Sequence, residues 1–246
     1  MKVSRYYGWI PDRPDQRDYA YQAIKPVIRI PAEADLRPFC STIEDQGALG
    51  SCTAQALAGN LEFLDNRPDS FYTDVSRLFI YYNERLIEGT TDYDSGASLR
   101  DGIKSLKNYG VCGESAWPYD IRRFAKKPPV RCYSEAKKRV IASYYRIDTL
   151  SQMLACLADG FPFVFGFTVY ESFESEKVSR TGIVPMPKKD ERALGGHAVM
   201  AVGYDRRTKK FLVRNSWGAN WGLAGYCLMP FAYLETLAAD FWTIRK

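Results

Sequence analysis

The sequence of 246 residues contains a single histidine and no Cys-x-x-Cys pair. A structural zinc site needs a cluster of cysteine and histidine ligands, so the common zinc-binding classes are disfavoured. The cysteines also lack the dense spacing of a small disulfide scaffold. We therefore expect neither a metal nor a cofactor. Most of the six cysteines are expected to be buried thiols: Cys40, Cys52, Cys112, Cys132, Cys156 and Cys227.

Long hydrophobic runs are missing as well. The longest, Phe161 to Tyr170, is far shorter than the roughly 20 residues that a membrane-spanning helix needs, and it is more typical of a buried strand. Near the start of the chain, Arg5 and Gly8 interrupt the stretch where a signal peptide would carry its hydrophobic core. The sequence therefore predicts no membrane partner and no export signal, and it favours a cytoplasmic protein.

Charge of one sign is not in large excess, because 34 basic residues face 29 acidic ones and leave a net charge of +5. The densest basic run, Lys126 to Arg139, is interrupted by Pro128-Pro129 and is typical of a solvated loop and helix face. We therefore expect no nucleic-acid partner, and we expect a monomer. With 46% apolar residues, the chain can bury one large core or two modest lobes.

Hydrophobic spacing predicts a mainly helical first half and a mainly β second half. Apolar residues recur every three or four positions from Cys52 to Leu64, which predicts a helix beginning near Cys52. Two further helices are predicted, from Ser76 to Ile87 and from Ser98 to Tyr109. After Pro128-Pro129 the pattern changes to strands separated by turns. These strands are Phe163 to Tyr170, His197 to Tyr204, Lys210 to Arg214, Gly225 to Met229 and Phe241 to Arg245.

Two distant stretches together supply the parts of a thiol hydrolase, which needs a nucleophile, a base, a group that orients the base and donors for an oxyanion. Cys52 is predicted in the first turn of a helix, where free amides and the helix dipole stabilise a thiolate. His197 follows two glycines at the start of a strand and can face that helix. The side chain of Asn215 can hold the histidine tautomer, and Trp217 can cover that bond. Gln46 can join the Cys52 backbone N–H as an oxyanion donor.

Each of these residues also has an ordinary structural interpretation when it is taken alone. Isolated cysteines and histidines are more often part of a core than of a site. Asn215 could simply form a turn, Trp217 could be a core aromatic, and Gln46 could lie in a surface loop. A Gly-Ser-Cys turn six residues after a glutamine is nevertheless an unusual setting for a core cysteine. The complete set therefore favours catalysis.

The motifs that hold these residues resemble those of the papain-like cysteine peptidases. They are Gln46-Gly-x-x-Gly-Ser-Cys52, Gly195-Gly-His197-Ala-Val and Asn215-Ser-Trp-Gly-x-x-Trp221-Gly-x-x-Gly225-Tyr226. The resemblance covers about residues 30 to 246. It implies an α+β fold with two lobes, a helical left lobe and an antiparallel β-barrel-like right lobe, with the active site between them.

The resemblance also implies a role for each site residue. Cys52 would be the nucleophile, with a lowered thiol pKa, and His197 would be the general base and later the acid. Asn215 would orient the histidine, and Gln46 would donate to the oxyanion. Substrate contacts would come from Gly96, Ala97, Ala198 and Trp217. The small side chain of Ala198 would keep a pocket open for an apolar side chain at the P2 position of the substrate.

The chain departs from the family pattern at several positions. Leu49 stands where the family usually has a cysteine, and Thr53 replaces the usual aromatic residue after the nucleophile. The stretch Asp94 to Ala97 preserves only part of the usual ledge for the substrate backbone. A largely disulfide-free papain fold suits a prokaryotic or cytosolic protein.

The N-terminal part of the sequence suggests a division of the chain into three parts. Residues 1–29 are polar and rich in proline and aromatic residues, so we expect them to be extended. They stand where the family's long helical propeptide would lie, and they are expected either to cover part of the cleft or only to stabilise the fold. Residues 30–130 would form the mainly helical left lobe, and residues 131–246 the mainly β right lobe.

The leading functional hypothesis is a papain-type endopeptidase that acts on peptide or protein substrates. One alternative is a catalytically silent peptide-binding protein on the same scaffold, which would have no need to retain the nucleophile. Another is a Cys-His acyltransferase such as a transglutaminase-like enzyme, which would be expected to orient its histidine with an aspartate. The Asn215-Ser-Trp string disfavours this last class.

Overall fold

The computed structural model describes residues 6–16, 18–21, 30–66 and 72–246. Its helices are α1 (Cys52–Asp65), α2 (Arg77–Glu88), α3 (Leu99–Asn108), α4 (Val130–Ala136), α5 (Leu150–Ala158), α6 (Glu176–Thr181) and α7 (Phe231–Leu237). Its strands are β1 (Glu33–Asp35), β2 (Ser143–Ile147), β3 (Phe163–Tyr170), β4 (Ala193–Asp205), β5 (Lys210–Arg214), β6 (Tyr226–Pro230) and β7 (Ala238–Arg245). Short 3-10 turns lie at Arg37–Phe39 and Ile121–Arg123.

The three predicted helices of the first half are confirmed, and side-chain caps explain where two of them begin. The Ser76 hydroxyl accepts a hydrogen bond from the Phe79 N–H at the start of α2, and the Ser98 hydroxyl does the same for the Asp101 N–H at the start of α3. Such caps satisfy amide groups that have no partner within the helix. Helix α1 is buried along its whole length and packs against α2, α3 and strand β4. It therefore joins the helical lobe to the sheet.

The second half is built on an antiparallel sheet in the order β2-β7-β3-β4-β5-β6, with β1 paired to β4 off this path. All five predicted strands are present. The sheet is open rather than barrel-like, because within the described residues no pairing joins β2 to β6. Helices α5 and α7 pack against the sheet instead and cover core side chains. The mixed helical and antiparallel β class is therefore confirmed, and the expectation of a barrel is corrected.

Strand β1 does not follow the expected lobe boundaries. It lies within residues 30–130, yet it pairs with β4 of the sheet in the register Glu33↔Asp205. Helices α5 to α7, which were not predicted, lie among the strands of the second half. The buried side chains of both halves form one continuous hydrophobic cluster. The two lobes thus share a core on either side of α1.

The N-terminal segment, residues 6–16 and 18–21, is extended as predicted and runs along both lobes. Isolated β-bridges join Trp9 to Ala97 and Ala20 to Arg146. The rest of residues 1–29 lies outside the described residues. None of the helices in the described ranges is long and apolar enough to cross a membrane. All six cysteines are free thiols.

Candidate active site

Cys52 is the first residue of α1 and is fully buried. The helix begins here because Ser51 leaves helical geometry, and the hydroxyl of Ser51 lies 2.5 Å from that of Tyr119. The backbone N–H of Ala198, which follows His197, lies close enough to the Cys52 sulfur to favour the charged form of the thiol. The thiol of α1 therefore meets strand β4 at the position next to the histidine.

His197 lies in β4 opposite Phe167 of β3 and is fully buried. Its Nε2 is 2.8 Å from Oδ1 of Asn215, which is also buried. Because an amide oxygen can only accept, this contact puts a hydrogen on Nε2 and leaves proton exchange to Nδ1. The indole of Trp217 stacks on the imidazole with 4.9 Å between ring centroids, and Phe167 meets its edge at 5.7 Å. The ring is thus held in one orientation by a hydrogen bond and three aromatic neighbours, the third being Tyr7 at 6.5 Å.

A chain of hydrogen bonds connects the histidine to the predicted oxyanion donor. The Ser216 N–H donates to Asn215 Oδ1 at 2.8 Å, and the Ser216 hydroxyl donates to Gln46 Oε1 at 2.8 Å. The Gln46 amide nitrogen then donates to the Leu49 carbonyl at 2.9 Å and to the Tyr6 carbonyl at 3.2 Å. The structure therefore brings the four predicted catalytic residues into one cluster. Ser216 links them, although sequence reasoning assigned it no role.

Tyr119 is a second contributor that sequence reasoning missed. Its hydroxyl donates to the backbone carbonyl of Gln46 at 2.9 Å and also contacts Ser51. It therefore supports both ends of the loop that precedes Cys52. No local pattern indicates this role, because the contact joins two loops 73 positions apart in the sequence.

The N-terminal segment lies in the cleft between the lobes. Gly8 O accepts a hydrogen bond from Ala97 N at 2.7 Å, while Ile10 N donates to Ala97 O at 3.0 Å. On the other wall, Trp9 N donates to Gly196 O at 3.1 Å. A Cβ atom added to Gly8 would lie 1.7 Å from the carbonyl oxygen of Gly50, so only glycine fits at this crossing. The segment therefore occupies the backbone hydrogen-bonding groups on both sides of the thiol.

The residues expected to contact substrate face this segment. Gly96 has a φ of +72°, and a Cβ there would lie 2.1 Å from the Gly8 carbonyl oxygen. Ala97 makes both bonds described above, and Ala198 pairs with Gly166 on the sheet. Trp217 is instead engaged with the His197 ring. Gly96, Ala97 and Ala198 thus lie along the path of the N-terminal segment. Trp217 lies against the His197 ring instead.

The pKa of the Cys52 thiol is raised, whereas the resemblance to the papain-like peptidases implied a lowered value. Burial raises its pKa to about 11, although backbone N–H groups of Ala198, Gly8 and Thr53 act in the opposite direction. The Glu84 carboxyl, buried behind α1, adds to the rise. Because the N-terminal segment excludes water from the sulfur, the charged form loses solvation that the helix amides only partly replace. In this covered arrangement the thiol stays protonated at neutral pH.

Comparison with known proteins agrees with this arrangement. Residues 30–233 match the family described as papain family cysteine protease. The chain belongs to this family. Its fold is similar to that of xylellain, a cysteine protease from Xylella fastidiosa, with a TM-score of 0.92 and 44% sequence identity over 100% of this chain and 98% of that one.

Two further relatives differ in their sequence identity to this chain. An uncharacterized peptidase C1-like protein of Acanthamoeba polyphaga mimivirus is 44% identical over 99% of this chain and 88% of its own length. Cysteine proteinase 3 of Entamoeba histolytica is 25% identical over 92% of this chain and 70% of its own length. The similarity to xylellain and to the viral protein includes the N-terminal segment, which lies ahead of the family match at residue 30.

Proposed function

We propose that this papain-family protein is a cysteine endopeptidase in which Cys52 attacks peptide bonds with His197 as its base. The observation that carries this proposal is the buried hydrogen-bond chain from His197 through Asn215 and Ser216 to Gln46. It holds the base and the oxyanion donor relative to each other, which is what acyl transfer needs. Peptides or proteins are the substrates of this family, and we propose that the enzyme acts as a monomer.

The reaction follows from the positions of these groups. His197 Nδ1 takes the Cys52 proton, and the sulfur attacks the carbonyl carbon of the substrate. The Gln46 amide and the Cys52 backbone N–H then stabilise the oxyanion. The imidazolium protonates the leaving amine, which departs and leaves an acyl-enzyme. Water, deprotonated by the same imidazole, attacks the thioester carbon, and the C–S bond breaks to release the carboxylic acid and restore the thiol.

The N-terminal segment must leave before a substrate can bind. The Tyr6 carbonyl accepts from the Gln46 amide, and residues 8–10 use the backbone groups of Ala97 and Gly196. We propose that this segment gates the cleft between a left lobe, residues 30–130 without β1, and a right lobe, residues 131–246 with β1. A peptide extended across the cleft would contact Gly96, Ala97 and Ala198 in the segment's place. Trp217 would support His197 from behind rather than touch the peptide.

The catalytically silent binding protein remains the second candidate, since a filled cleft also suits a protein that only holds peptides. It is less favoured, because binding alone would not require both a buried histidine held by an amide and a cysteine at a helix start. No separate observation favours a transglutaminase-like acyltransferase, since Asn215 rather than an aspartate contacts the histidine.

The test is hydrolysis of fluorogenic dipeptides under reducing conditions by the full chain, with Cys52→Ala as the nucleophile-free variant. Cys40→Ala, at a partly buried thiol away from the cleft, is the matched control. We expect turnover that is lost in Cys52→Ala and kept in Cys40→Ala. If the full chain is inactive, Trp9→Ala is assayed to loosen the N-terminal segment. A folded Trp9→Ala protein that binds peptides without cleaving them would replace the proposal with the silent binding protein.

A further inference from the structure

Cys132 lies on the inner face of the short surface helix α4. Glu135 and Ala136 follow it by three and four positions, so the three side chains share one face of the helix. Cys132 and Ala136 are fully buried, and the Cys132 thiol donates to the Ala116 carbonyl at 3.6 Å. This face of α4 therefore points at the segment of residues 110–116, which leads from α3 towards the loop beside Cys52.

The same segment is fixed to α4 on both sides of a second cysteine, Cys112. After it in the chain, Gly113 N donates to Glu135 Oε1 at 2.8 Å. Before it, Gly110 has a φ of +72°, and a Cβ atom there would lie 2.0 Å from the Ala136 carbonyl oxygen. The backbone around Cys112 thus contacts the residues that share a helix face with Cys132.

The two thiols are close to each other. Cys112 is fully buried, and its backbone carbonyl accepts from Ser76 N at 2.9 Å, which fixes the residue in place. Burial raises the pKa of the Cys112 thiol, and the nearby Cys132 raises it further. By contrast, burial alone raises the pKa of the equally buried Cys227. Cys112 and Cys132 therefore form a pair, which Cys227 does not.

A reagent can reach this pair through α4. The helix has only seven residues, and no side chain caps its first turn. Val130 and Arg131 at its start are exposed. Short elements with few buried residues open locally at a smaller cost in free energy than unfolding of the whole chain. Opening of the first turn uncovers Cys132, while Ser76 still holds the backbone of Cys112.

We propose that Cys112 and Cys132 are a redox modification site, at which a low-molecular-weight disulfide converts the two thiols into an intramolecular disulfide. The Cys132 thiolate attacks one sulfur of the reagent, whose S–S bond breaks and releases a thiolate. The Cys112 thiolate then attacks the Cys132 sulfur of the mixed disulfide and releases a second thiolate. The two released thiolates take up the two protons that the cysteines lose. The protein is thus oxidised by two electrons, and the reagent is reduced to two thiols.

The bridge would join α4 to the segment that continues to Tyr119, whose hydroxyl contacts the Gln46 carbonyl. It would close a loop of about 20 residues, and such a cross-link removes conformational entropy from the unfolded chain. A chain whose cysteines are otherwise apart would gain a covalent tie under oxidising conditions. The inference is independent of the proposed peptidase function, because it concerns two thiols that take no part in that chemistry.

The test uses the full chain with Cys52→Ala, so that the candidate nucleophile does not react. The protein is equilibrated with mixtures of oxidised and reduced glutathione, quenched with acid, alkylated and digested with trypsin without reduction. Lysine and arginine residues flank both cysteines, so each lies alone in its tryptic peptide. We expect one linked species that contains Cys112 and Cys132, with a mass two hydrogens below the sum of the two peptides. Thiols that stay alkylated, or that carry only glutathione, at every mixture would overturn the proposal.

Dilution of the glutathione distinguishes a bridge from mixed disulfides. Bridge formation releases two molecules of reduced glutathione, whereas a mixed disulfide releases one. At a fixed ratio of oxidised to reduced glutathione, tenfold dilution of both should therefore raise the ratio of bridged to reduced protein about tenfold. A ratio that does not change on dilution would show glutathione adducts alone and contradict the proposal.

Two variants test whether the pairing follows the folded structure. Cys112→Ser should stop at a glutathione adduct on Cys132, because the second thiol is missing. Cys40→Ala, at a partly buried thiol, is the matched control and should form the bridge as the parent chain does. A link from Cys132 to some other cysteine in the Cys112→Ser protein would show that pairing occurs in unfolded chains, and it would overturn the assignment of this site.

Discussion

The proposed catalytic cluster and the N-terminal segment that covers it are held by different kinds of contact. His197, Asn215 and Gln46 are buried and joined by hydrogen bonds that involve no carboxylate, with Trp217 stacked on the imidazole. The N-terminal segment is held by backbone bridges and by charged groups. Arg100 pairs with Asp18 of the segment through its guanidinium and donates its backbone N–H to Asp12. The difference teaches that the contacts within the proposed cluster do not depend on charged groups, whereas docking of the segment partly does.

The largest loss of activity is expected for a substitution within the proposed catalytic cluster. Gln46→Ala removes the amide donor of the proposed oxyanion hole, so kcat/KM should fall roughly 100- to 1,000-fold. The loss should appear mainly in kcat, because the donor acts on charge that develops during attack. Measurement of both kinetic constants in the Trp9→Ala background avoids a change in access. A fall in kcat/KM below threefold would show that Gln46 has no role in the chemistry.

The second effect concerns the segment and its dependence on pH. Burial and the nearby Asp240 carboxyl raise the pKa of Asp12 from 3.8 to about 6. The docked segment therefore holds this proton more tightly than the free segment does. Docking should be strongest below about pH 4 and should weaken as the pH rises from about 4 to 6, by up to roughly 100-fold. Arg100 faces both carboxyls and Arg146 faces Asp240, and their positive charges limit the effect. Asp18 pairs with both arginines and offsets part of that charge.

Hydrogen exchange at the Ala97 amide measures this docking directly, since that N–H donates to Gly8 O only when the segment is in place. Its protection, corrected for the intrinsic pH dependence of exchange, should fall with rising pH in the unmodified chain. In Asp12→Asn the protection should vary little with pH, whereas Asp15→Asn, on the same segment, should follow the unmodified chain. Equal pH profiles for the unmodified chain and Asp12→Asn would show that titration of Asp12 does not control docking of the N-terminal segment.

A smaller effect is expected at Ser216, which joins the two halves of the cluster. Ser216→Ala removes the hydroxyl that donates to Gln46 Oε1 but keeps the N–H that donates to Asn215. We expect kcat to fall by about tenfold, since Gln46 loses one of the contacts that orient it. Ser216→Thr retains a hydroxyl and should recover part of the activity. No change in Ser216→Ala would mean that Gln46 is positioned by its other bonds alone.

The smallest effect is expected at Tyr119, behind the nucleophile. Tyr119→Phe removes the hydroxyl that contacts Gln46 O and Ser51 Oγ and should lower the free energy of unfolding by about 1 kcal/mol. Denaturant unfolding measures this change. Activity should stay within about threefold, because backbone geometry still holds the loop. A loss of activity comparable to that of Gln46→Ala would move Tyr119 into the catalytic cluster.

Local patterns made much of the fold predictable. Helices α1, α2 and α3 begin where the spacing of apolar residues and the Ser76 and Ser98 caps indicated, because those signals act within a few residues. The five strands of the second half also agree with their alternating and apolar runs. Helices α4 to α7 were not predicted. Three of them have only six or seven residues, which is too few for a clear helical period.

The residues in and around the site can also be separated into those that the local sequence predicted and those that it did not. Cys52, His197, Asn215 and Gln46 belong to compact motifs, so their types and spacing were sufficient to propose them as one site. Asp240 stands in an ordinary strand sequence, and nothing local relates it to Trp9, whose indole N–H donates to it from 231 positions away. Ser216 and Tyr119 could be named only once the loops carrying them were seen to meet.

The sequence by itself therefore determined the family, the main helices and strands, and the set of groups available for catalysis, because motifs and periodicity are local properties. Tertiary structure decided that β1 joins the sheet, that the sheet stays open, and that residues 8–10 lie in the cleft with Trp9 against Asp240. It also reversed the expected pKa of the Cys52 thiol, since burial under the N-terminal segment outweighs the helix amides. Pairing between distant segments and exclusion of water depend on how the whole chain packs, and no short stretch of residues encodes either of them.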